Sequence, residues 1–252
     1  LGNAIKLLAQ AIYVSGRLSA NSAGSIAGNI TLTANTITLN QGAQIGANGV
    51  EGGVITIAAN DSIWNSAVIQ ANGGNGRGGT IALTAANDQY FINTALLANG
   101  TTDGGALTIT TDVGDIYFTN SLIQTNGSSG RGGSIGLSAT NRTVIASSII
   151  SANGYSQGGQ ILIGNDAANG SLPFSIYTSI DALSLITTEA INVGALSVGG
   201  FIETSGHTVS LLASINAGRG GLWLIDPADI IVDSTLAAAI VSGLANSNVV
   251  VS

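Results

Sequence analysis

The feature that most constrains this chain is a pair of apolar residues, one residue apart, that recurs at a nearly constant interval. Successive pairs begin 25, 25, 26, 26, 28 and 26 residues apart. A period of this length is typical of a stacked array of similar turns. Side chains alternate between the two faces of a strand, so both residues of each pair are predicted to point inward. The predicted core pairs are Ile5/Leu7, Ile30/Leu32, Ile55/Ile57, Ile81/Leu83, Leu107/Ile109, Ile135/Leu137 and Ile161/Ile163.

A second column closes each repeat, where an apolar residue is followed within three positions by an asparagine. Glycine follows five of the six asparagines, and Ser22 follows the first. Asn and Gly both tolerate positive φ, so sharp corners are predicted here. Stacked asparagines could also form a hydrogen-bonded ladder along the axis. The corner residues are Asn21, Asn48, Asn72, Asn99, Asn126 and Asn153, and the apolar residues before them are Leu18, Ile45, Ile69, Leu97, Ile123 and Ile150.

These columns predict an all-β fold, a parallel β-solenoid of about 26 residues per turn with one short helix near the C-terminus. Pro173 cannot donate to a strand ladder and marks a break in the repeat. Ser234 is a plausible N-cap for the helix, and Gly243 a plausible stop. The predicted parts are regular solenoid turns at 1–164, irregular turns or an insertion at 165–198, further solenoid turns at 199–233, and the short helix with the start of a following strand at 234–252.

Composition narrows the class of protein. Hydrophobic residues make up 45% of the chain and charged residues only 8%, with 36 glycines and no cysteine. No run of about 18 apolar residues occurs, so no transmembrane helix is predicted. The net charge of −7 argues against a nucleic-acid partner, which would need a basic face. The dispersed Ile, Leu and Val fit a narrow continuous core inside a neutral polar exterior.

Residues that could support catalysis or metal binding are few and scattered, so no enzyme activity, cofactor or metal is expected. His207 is the only histidine and is predicted to be exposed. A glycan-active enzyme needs carboxylates that converge on one face, and only Asp61 and Asp88 occupy similar places in adjacent turns. An acidic group could bind one calcium ion, although a solvated loop is the preferred interpretation. That group is Asp226, Asp229 and Asp233.

Threonine pairs raise a different function, ice binding, because the i, i+2 spacing places two hydroxyls on one flat face. The column does not persist, since matching positions in other turns hold Ala58 and Gly136. The β-propensity of threonine accounts for the pairs. They are Thr31/Thr33, Thr36/Thr38 and Thr108/Thr110.

Three phrases in the C-terminal half are more specific than the repeat itself. They are GGQILIG from Gly158, GGFIETSGHTVSL from Gly199, and GRGGLWLIDPADIIV from Gly218. With the coil phrases VSGRLSAN from Val14 and GAQIGANG from Gly42, they resemble the filamentous haemagglutinin-like exoproteins of bacterial two-partner secretion. The WLIDP-x-D-I phrase is the most specific part of the resemblance.

The resemblance implies a right-handed parallel β-helix that is exported through an outer-membrane partner transporter and lies outside the cell or on the bacterial surface. Members of the family are long adhesins, and their coils carry no catalytic residues. We therefore expect a segment of a large adhesin, a stiff rod that presents binding faces for adhesion, aggregation or biofilm formation. The receptor is expected to be a surface glycan or protein of the host or of bacteria.

Other functions stay open at this point. The first alternative is a subunit of a self-assembling homopolymeric fibre, in which chains stack end to end through strand edges at their terminal turns. Less favoured are a glycan-active β-helix enzyme and an ice-binding solenoid.

Overall fold

The computed structural model describes residues 3–192, 194 and 197–252. The chain is a parallel β-solenoid of about nine turns and about 26 residues per turn, with one short helix near its C-terminus. The fold predicted from the repeat is therefore confirmed, whereas the right-handed sense implied by the resemblance stays a prediction. No helix in the described part is both long and apolar enough to span a bilayer.

Two parallel sheets wind along the axis, and each strand pairs with its equivalents in neighbouring coils. The large sheet contains β1 (Ala4–Leu8), β2 (Ala11–Val14), β4 (Asn29–Leu39), β6 (Val54–Asn65), β8 (Thr80–Ala85), β9 (Gln89–Ile92), β11 (Ala106–Thr111), β12 (Ile116–Thr119), β14 (Ser134–Ala139), β15 (Arg142–Ala146), β17 (Gln160–Ile163), β18 (Tyr177–Ile180), β20 (Phe201–Gly206), β21 (Thr208–Leu211), β23 (Leu222–Pro227) and β24 (Asn248–Val251). The small sheet contains β3 (Arg17–Ser19), β5 (Gln44–Gly46), β7 (Val68–Gln70), β10 (Ala95–Leu97), β13 (Leu122–Gln124), β16 (Ile149–Ser151), β19 (Leu185–Thr187) and β22 (Ser214–Asn216). Helix α1 spans Ser234–Leu244.

The apolar pairs named from the sequence form two interior columns. Twelve residues of these pairs are at most 1% exposed, and burying each such side chain stabilises the fold by about 1.5–3 kcal/mol. The first column contains Ile30, Ile55, Ile81, Leu107, Ile135 and Ile161, and the second contains Leu32, Ile57, Leu83, Ile109, Leu137 and Ile163.

The first pair departs from this pattern. Ile5 and Leu7 are register partners of the inward-facing Ile30 and Leu32, but Ile5 is only partly buried and Leu7 is 37% exposed. Their strand pairs with β4 alone among the described strands.

The small sheet also lines the interior. Its buried column differs from the expected one at a single residue. Leu96, not Leu97, is the buried residue, and it pairs with Ile69 and Ile123. Leu97 lies half-buried on the other face of the strand. Because two leucines are adjacent, the apolar pattern alone does not say which one faces inward. Only the pairing with neighbouring coils does.

Glycine pairs mark a corner where successive coils touch through their backbones. A Cβ built on Gly79 would overlap the carbonyl oxygen of Gly53 in the preceding coil. The contact recurs from coil to coil, and it requires the absence of a side chain, not a positive φ. The second glycines of the pairs, all in this position, are Gly53, Gly79, Gly105, Gly133, Gly159 and Gly200.

The corner asparagines form the ladder along the axis, but the φ argument for them is wrong. None of the six has positive φ; among the described residues other than glycine, that conformation occurs at Asn93, Asn120 and Ser147. The Asn48 N–H donates to Asn21 Oδ1 at 2.8 Å. The same bond joins Asn72 to Asn48, Asn99 to Asn72, Asn126 to Asn99, and Asn153 to Asn126, at 2.7 to 2.9 Å.

A long loop, residues 164–176, interrupts the repeat after β17 and crosses the outer face of the large sheet. Ile161 still pairs with Ile202, although 41 residues (202 − 161) separate them. Leu172 of the loop packs over Gly136, where a Cβ would approach the leucine to 3.2 Å. Within the predicted irregular part, 165–198, β18 and β19 keep the solenoid register. Residues 193, 195 and 196 of that part lie outside the described residues.

The last coil contains a buried tryptophan and the helix. Trp223 continues an interior column, and its indole N–H donates to Thr204 Oγ1 at 3.0 Å. Asp233, not Ser234, caps the helix, because its carboxylate accepts the N–H groups of the first turn. Gly243 does not stop the helix as expected. It lies inside α1 against the Trp223 ring, where a Cβ would approach to 2.8 Å.

Replacing Ile57 with aspartate should unfold the segment, because an unpaired carboxylate in the apolar interior costs several kcal/mol. The matched control is Thr56→Asp, which adds the same charge to the outward-facing neighbour. Circular dichroism and thermal melting should show a native Thr56→Asp and an unfolded Ile57→Asp. A native spectrum for Ile57→Asp would contradict the inward assignment.

Replacing Asn99 with alanine should lower the free energy of unfolding by about 1–3 kcal/mol, because the Asn126 N–H loses its acceptor. Asn99→Asp keeps an acceptor oxygen and should lose less. Asn75→Ala, in an exposed loop, serves as the control in urea unfolding. Equal stability for Asn99→Ala and Asn75→Ala would show that the ladder is energetically neutral.

Candidate functional site

Three aromatic side chains form a continuous column on the outer face of the large sheet. This outer aromatic column consists of Trp64, Tyr90 and Tyr117, which are register partners in successive coils. The ring centroids of Trp64 and Tyr90 are 4.0 Å apart with an interplanar angle of 18°, and those of Tyr90 and Tyr117 are 5.3 Å apart at 6°. Stacked pairs of this kind contribute about 0.5–1.5 kcal/mol each beyond burial.

Strand alternation places these rings outside. In β6 the residues on either side of Trp64 are Ile63 and Asn65, and both are buried. Phe91 and Phe118 likewise follow the two tyrosines, face inward and stack with centroids 4.6 Å apart. The same strands therefore carry one aromatic column inside and a second one outside.

Carboxylates hold the two tyrosines in place. The Tyr90 hydroxyl donates to Asp88 Oδ2 at 3.0 Å, and the Tyr117 hydroxyl donates to Asp115 Oδ2 at 2.7 Å. Arg142 donates to the same Asp115 oxygen through Nη2 at 2.6 Å, and its guanidinium carbon lies 5.5 Å from the centre of the Tyr117 ring. The C-terminal end of the column is thus closed by a cation that is already paired.

These contacts change the acidity of the groups. Burial, followed by the hydrogen bond to Asp115, raises the pKa of Tyr117 to about 12, and burial with the Asp88 contact raises the pKa of Tyr90. Burial opposes ionisation of Asp115. Hydrogen bonds from Arg142 and Tyr117 outweigh this effect and hold the pKa of Asp115 below its ordinary value. At neutral pH the tyrosines are therefore neutral donors and Asp115 is an anion.

The N-terminal end of the column is open. Trp64 is 48% exposed, and the register partner before it is the small residue Thr38. Tyr13 precedes Thr38 in the same register and is 73% exposed. The stack of rings therefore stops at Trp64, and another exposed ring occurs two coils away.

A row of amide side chains lies at the register irregularity of β4 and β6, a few residues before the column. Asn60 donates to Asn35 Oδ1 at 3.1 Å, and Asn35 donates to Gln10 Oε1 at 2.7 Å. Further along, Asn87 donates to Asp61 Oδ1 at 2.7 Å. The outer face therefore combines exposed aromatic surface with amide, hydroxyl and carboxylate groups.

The core pairs and the corner asparagines predicted from the sequence are structural, and they lie away from the outer aromatic column. The core pairs are enclosed between the sheets, except Ile5 and Leu7 at the first coil, and the corner asparagines lie along the axis. The second members of the remaining pairs are all 0% exposed, so they cannot contact a ligand outside the solenoid and do not belong to a functional site. They are Leu32, Ile57, Leu83, Ile109, Leu137 and Ile163.

The titratable residues weighed in the sequence lie on the surface. Asp61 and Asp88 are near the outer aromatic column: Asn87 bonds Asp61, and Asp88 Oδ1 accepts the Asp115 N–H at 2.9 Å. His207 is exposed.

Two of the three acidic residues weighed for calcium, Asp226 and Asp233, have other partners. Asp226 accepts a hydrogen bond from Ser252 at 2.7 Å, and Asp233 caps the helix. Within the described ranges, no cluster of three His, Asp or Glu residues has the geometry of a metal site.

Two further carboxylates are buried at the loop 164–176, Asp166 within the loop and Glu203 beneath it. Asp166 accepts hydrogen bonds from Ser171 and Asn169 of its own loop. Glu203 accepts the N–H of Ala167 and the hydroxyl of Ser205, while burial raises its pKa. Glu203 therefore joins the loop to the sheet, whereas Asp166 holds the loop in its own shape.

The chain is thus a parallel β-solenoid whose outer face carries an aromatic and acidic column. No family model and no curated protein matches the sequence. The fold is similar to a solved structure, described as the crystal structure of the HMW1 secretion domain from Haemophilus influenzae, with a TM-score of 0.47 and 15% identity. The match covers 95% of this chain and 84% of that one. A likeness at this level carries no argument about function.

Replacing Asp115 with asparagine should lower stability at pH 7. Because the pKa of folded Asp115 lies below its unfolded value of about 3.9, its contribution is present above that value and is lost as the pH falls through the folded pKa. Thermal unfolding of both proteins from neutral to acidic pH should therefore show a difference that shrinks in acid. A difference independent of pH would mean that the charge of Asp115 is not involved.

Proposed function

We propose that this chain is a structural and adhesive segment of a large secreted bacterial surface protein. The observation that carries the proposal is the stacking of coils in register, which continues past the loop 164–176, together with the asparagine ladder from Asn21 to Asn153. Its work is mechanical and spatial: it makes a stiff rod that holds binding faces away from the cell.

The dimensions and surface support this role. About nine coils at ~4.8 Å per strand spacing give a rod of roughly 43 Å. The outer faces of the coils are rich in Ser, Thr, Asn and Gly and carry little charge. Such a surface stays hydrated without a strong field, and its loops and aromatic column provide places where partners can dock.

Secretion and the partner transporter are proposed from the resemblance of the C-terminal phrases to filamentous haemagglutinin-like exoproteins. In this structure the most specific phrase, WLIDP, forms β23, with Trp223 and Ile225 in the interior columns. The residues that carry the resemblance therefore build a coil. We propose an extracellular location and a surface glycan or protein as the receptor, with no nucleic-acid partner.

A non-enzymatic role is part of the proposal. The carboxylates of the outer column and of the long loop are held in hydrogen bonds to tyrosine, arginine, amide and backbone groups. General acid–base catalysis on a glycan would instead need a carboxylate aimed at the substrate.

A second candidate is a subunit of an end-to-end fibre. The first coil exposes Leu7 and Leu8, and the last strand exposes Val250 and Val251 at 44% and 41%. Strand edges with apolar side chains pair readily with other chains where no further coil covers them. This candidate predicts filaments with an axial repeat equal to one segment.

The test uses the full-length protein in its parent cell, compared with an in-frame deletion of residues 54–105. This deletion removes two whole coils and joins Gly53 to Ala106, the register equivalent of Val54. Antibody labelling and electron microscopy should show surface rods attached at one end, shorter by about 10 Å in the deletion.

Adherence of the cells to surfaces and to one another should fall when the whole segment is removed. Filaments with the segment repeat would favour the fibre subunit. Protein confined to the cell interior, or adherence unchanged without the segment, would overturn the adhesin proposal.

A further inference from the structure

We propose that the outer face of β2, β4 and β6 binds an uncharged glycan, one sugar ring of which occupies the gap in the aromatic column between Tyr13 and Trp64. The inference deepens the proposed function, on which its biological meaning rests, by naming a site and a ligand class. Its physical content can be tested on the segment alone.

The gap is defined by register. Tyr13 pairs with Thr38, and Thr38 pairs with Trp64, so the three outward side chains occupy consecutive rungs. Two strand spacings separate the rungs of Tyr13 and Trp64 by roughly 9.6 Å. This is too far for direct stacking, which needs centroids about 4.5–7 Å apart. One ring-shaped group placed over Thr38 would contact both.

The next rungs show what fills such a position in this protein. Trp64 and Tyr90 stack at 4.0 Å, so one coil step accommodates ring on ring. At the rung of Thr38 the chain supplies a small side chain instead. The ring face of Trp64 towards Thr38 is therefore uncovered, whereas its other face stacks on Tyr90.

Exposure indicates that the gap is available to a ligand. Trp64 and Tyr13 are 48% and 73% exposed, in contrast to Trp223, which is fully buried. Large aromatic side chains that are exposed together in one patch often mark a binding surface. The two rings lie on strands rather than on loops, so the rigid sheet fixes their separation.

The chemistry around the gap matches a sugar. The C–H faces of a pyranose ring are apolar and carry partial positive charge, and they are attracted to the negative face of an aromatic ring. The hydroxyls of Thr36, Thr38 and Ser62 lie on the same outer face. Asn35 and Asn60 add amides, each with more donors and acceptors than their mutual hydrogen bond uses. Sugar hydroxyls both donate and accept, and they can pair with all of these groups.

The charge of the face selects an uncharged sugar. Strands β2, β4 and β6 contain no lysine or arginine and one carboxylate, Asp61. Arg142 lies at the far end of the column and is paired with Asp115 at 2.6 Å. A uronate or sulfate group in the gap would lack a cation and would face Asp61.

Tryptophan fluorescence reports on the site directly. The chain has two tryptophans, and Trp223 is buried away from solvent, so a ligand in the gap should shift only the emission of Trp64. The purified segment is titrated with neutral dextran, laminarin and mannan, with anionic alginate and heparin, and with cationic chitosan. At least one neutral polymer should give a saturable blue shift that is insensitive to added salt.

Variants identify the gap. Trp64→Ala should weaken binding at least tenfold. Thr38→Trp should fill the gap and weaken binding equally while leaving the column intact. Tyr155→Ala removes an exposed ring elsewhere on the surface and should keep the affinity within twofold. Binding by the Trp64 and Thr38 variants is followed by affinity electrophoresis, and circular dichroism checks their fold.

The outcomes separate the site from the proposed function. Unchanged binding in Thr38→Trp, preference for an anionic or cationic polymer, or no binding of any neutral polymer overturns this inference, whatever the cells do. Saturable binding by the segment together with protein confined to the cell interior would overturn the adhesin proposal and leave the site standing.

Discussion

The structure depends on the backbone contact between successive coils at the glycine corners. There the carbonyl oxygen of one coil occupies the space that a side chain of the next coil would need, as Gly53 does beneath Gly79. Since no residue but glycine fits, the pair fixes the point at which each turn closes. Every other column follows from this common reference: the interior isoleucines, the corner asparagines and the outer rings stack because each coil begins at the same place. Coils of different length differ at other positions, as in the loop 164–176, and not at the glycine corner.

Most of the interior was predictable because two regularities coincide. Strand alternation gives the face, and a constant period gives the partner, so Ile55 and Ile81 could be paired from the sequence alone. The failures occur where one regularity is missing. Leu7 has the right alternation, but its strand pairs on one side alone among the described strands. Leu96 and Leu97 are adjacent, so alternation does not say which of them faces inward. The corner asparagines were located correctly, but for a reason based on φ, whereas their position reflects a side-chain acceptor that each coil offers to its neighbour.

The outer aromatic column was missed, although its members follow the same period, 26 and 27 residues apart. The apolar pairs indicate the inward positions, and the positions between them are then predicted to face solvent. Trp64, Tyr90 and Tyr117 are such positions, and only comparison across coils reveals that they coincide. The carboxylates before the two tyrosines follow the same spacing. The burial of Glu203 under the loop could not be predicted for a different reason. No local sequence pattern indicates that residues 164–176 fold back onto the sheet.

The asparagine ladder has a direction. In each rung the acceptor is a side chain of the earlier coil and the donor is the backbone of the later one, from Asn21 and Asn48 onwards. The backbone bonds beside it run the opposite way, since the Ser22 N–H donates to the carbonyl of Asn48 and the Gly49 N–H donates to the carbonyl of Asn72. Each corner therefore both gives and receives hydrogen bonds along the axis, and it is fully bonded only when a coil lies on each side.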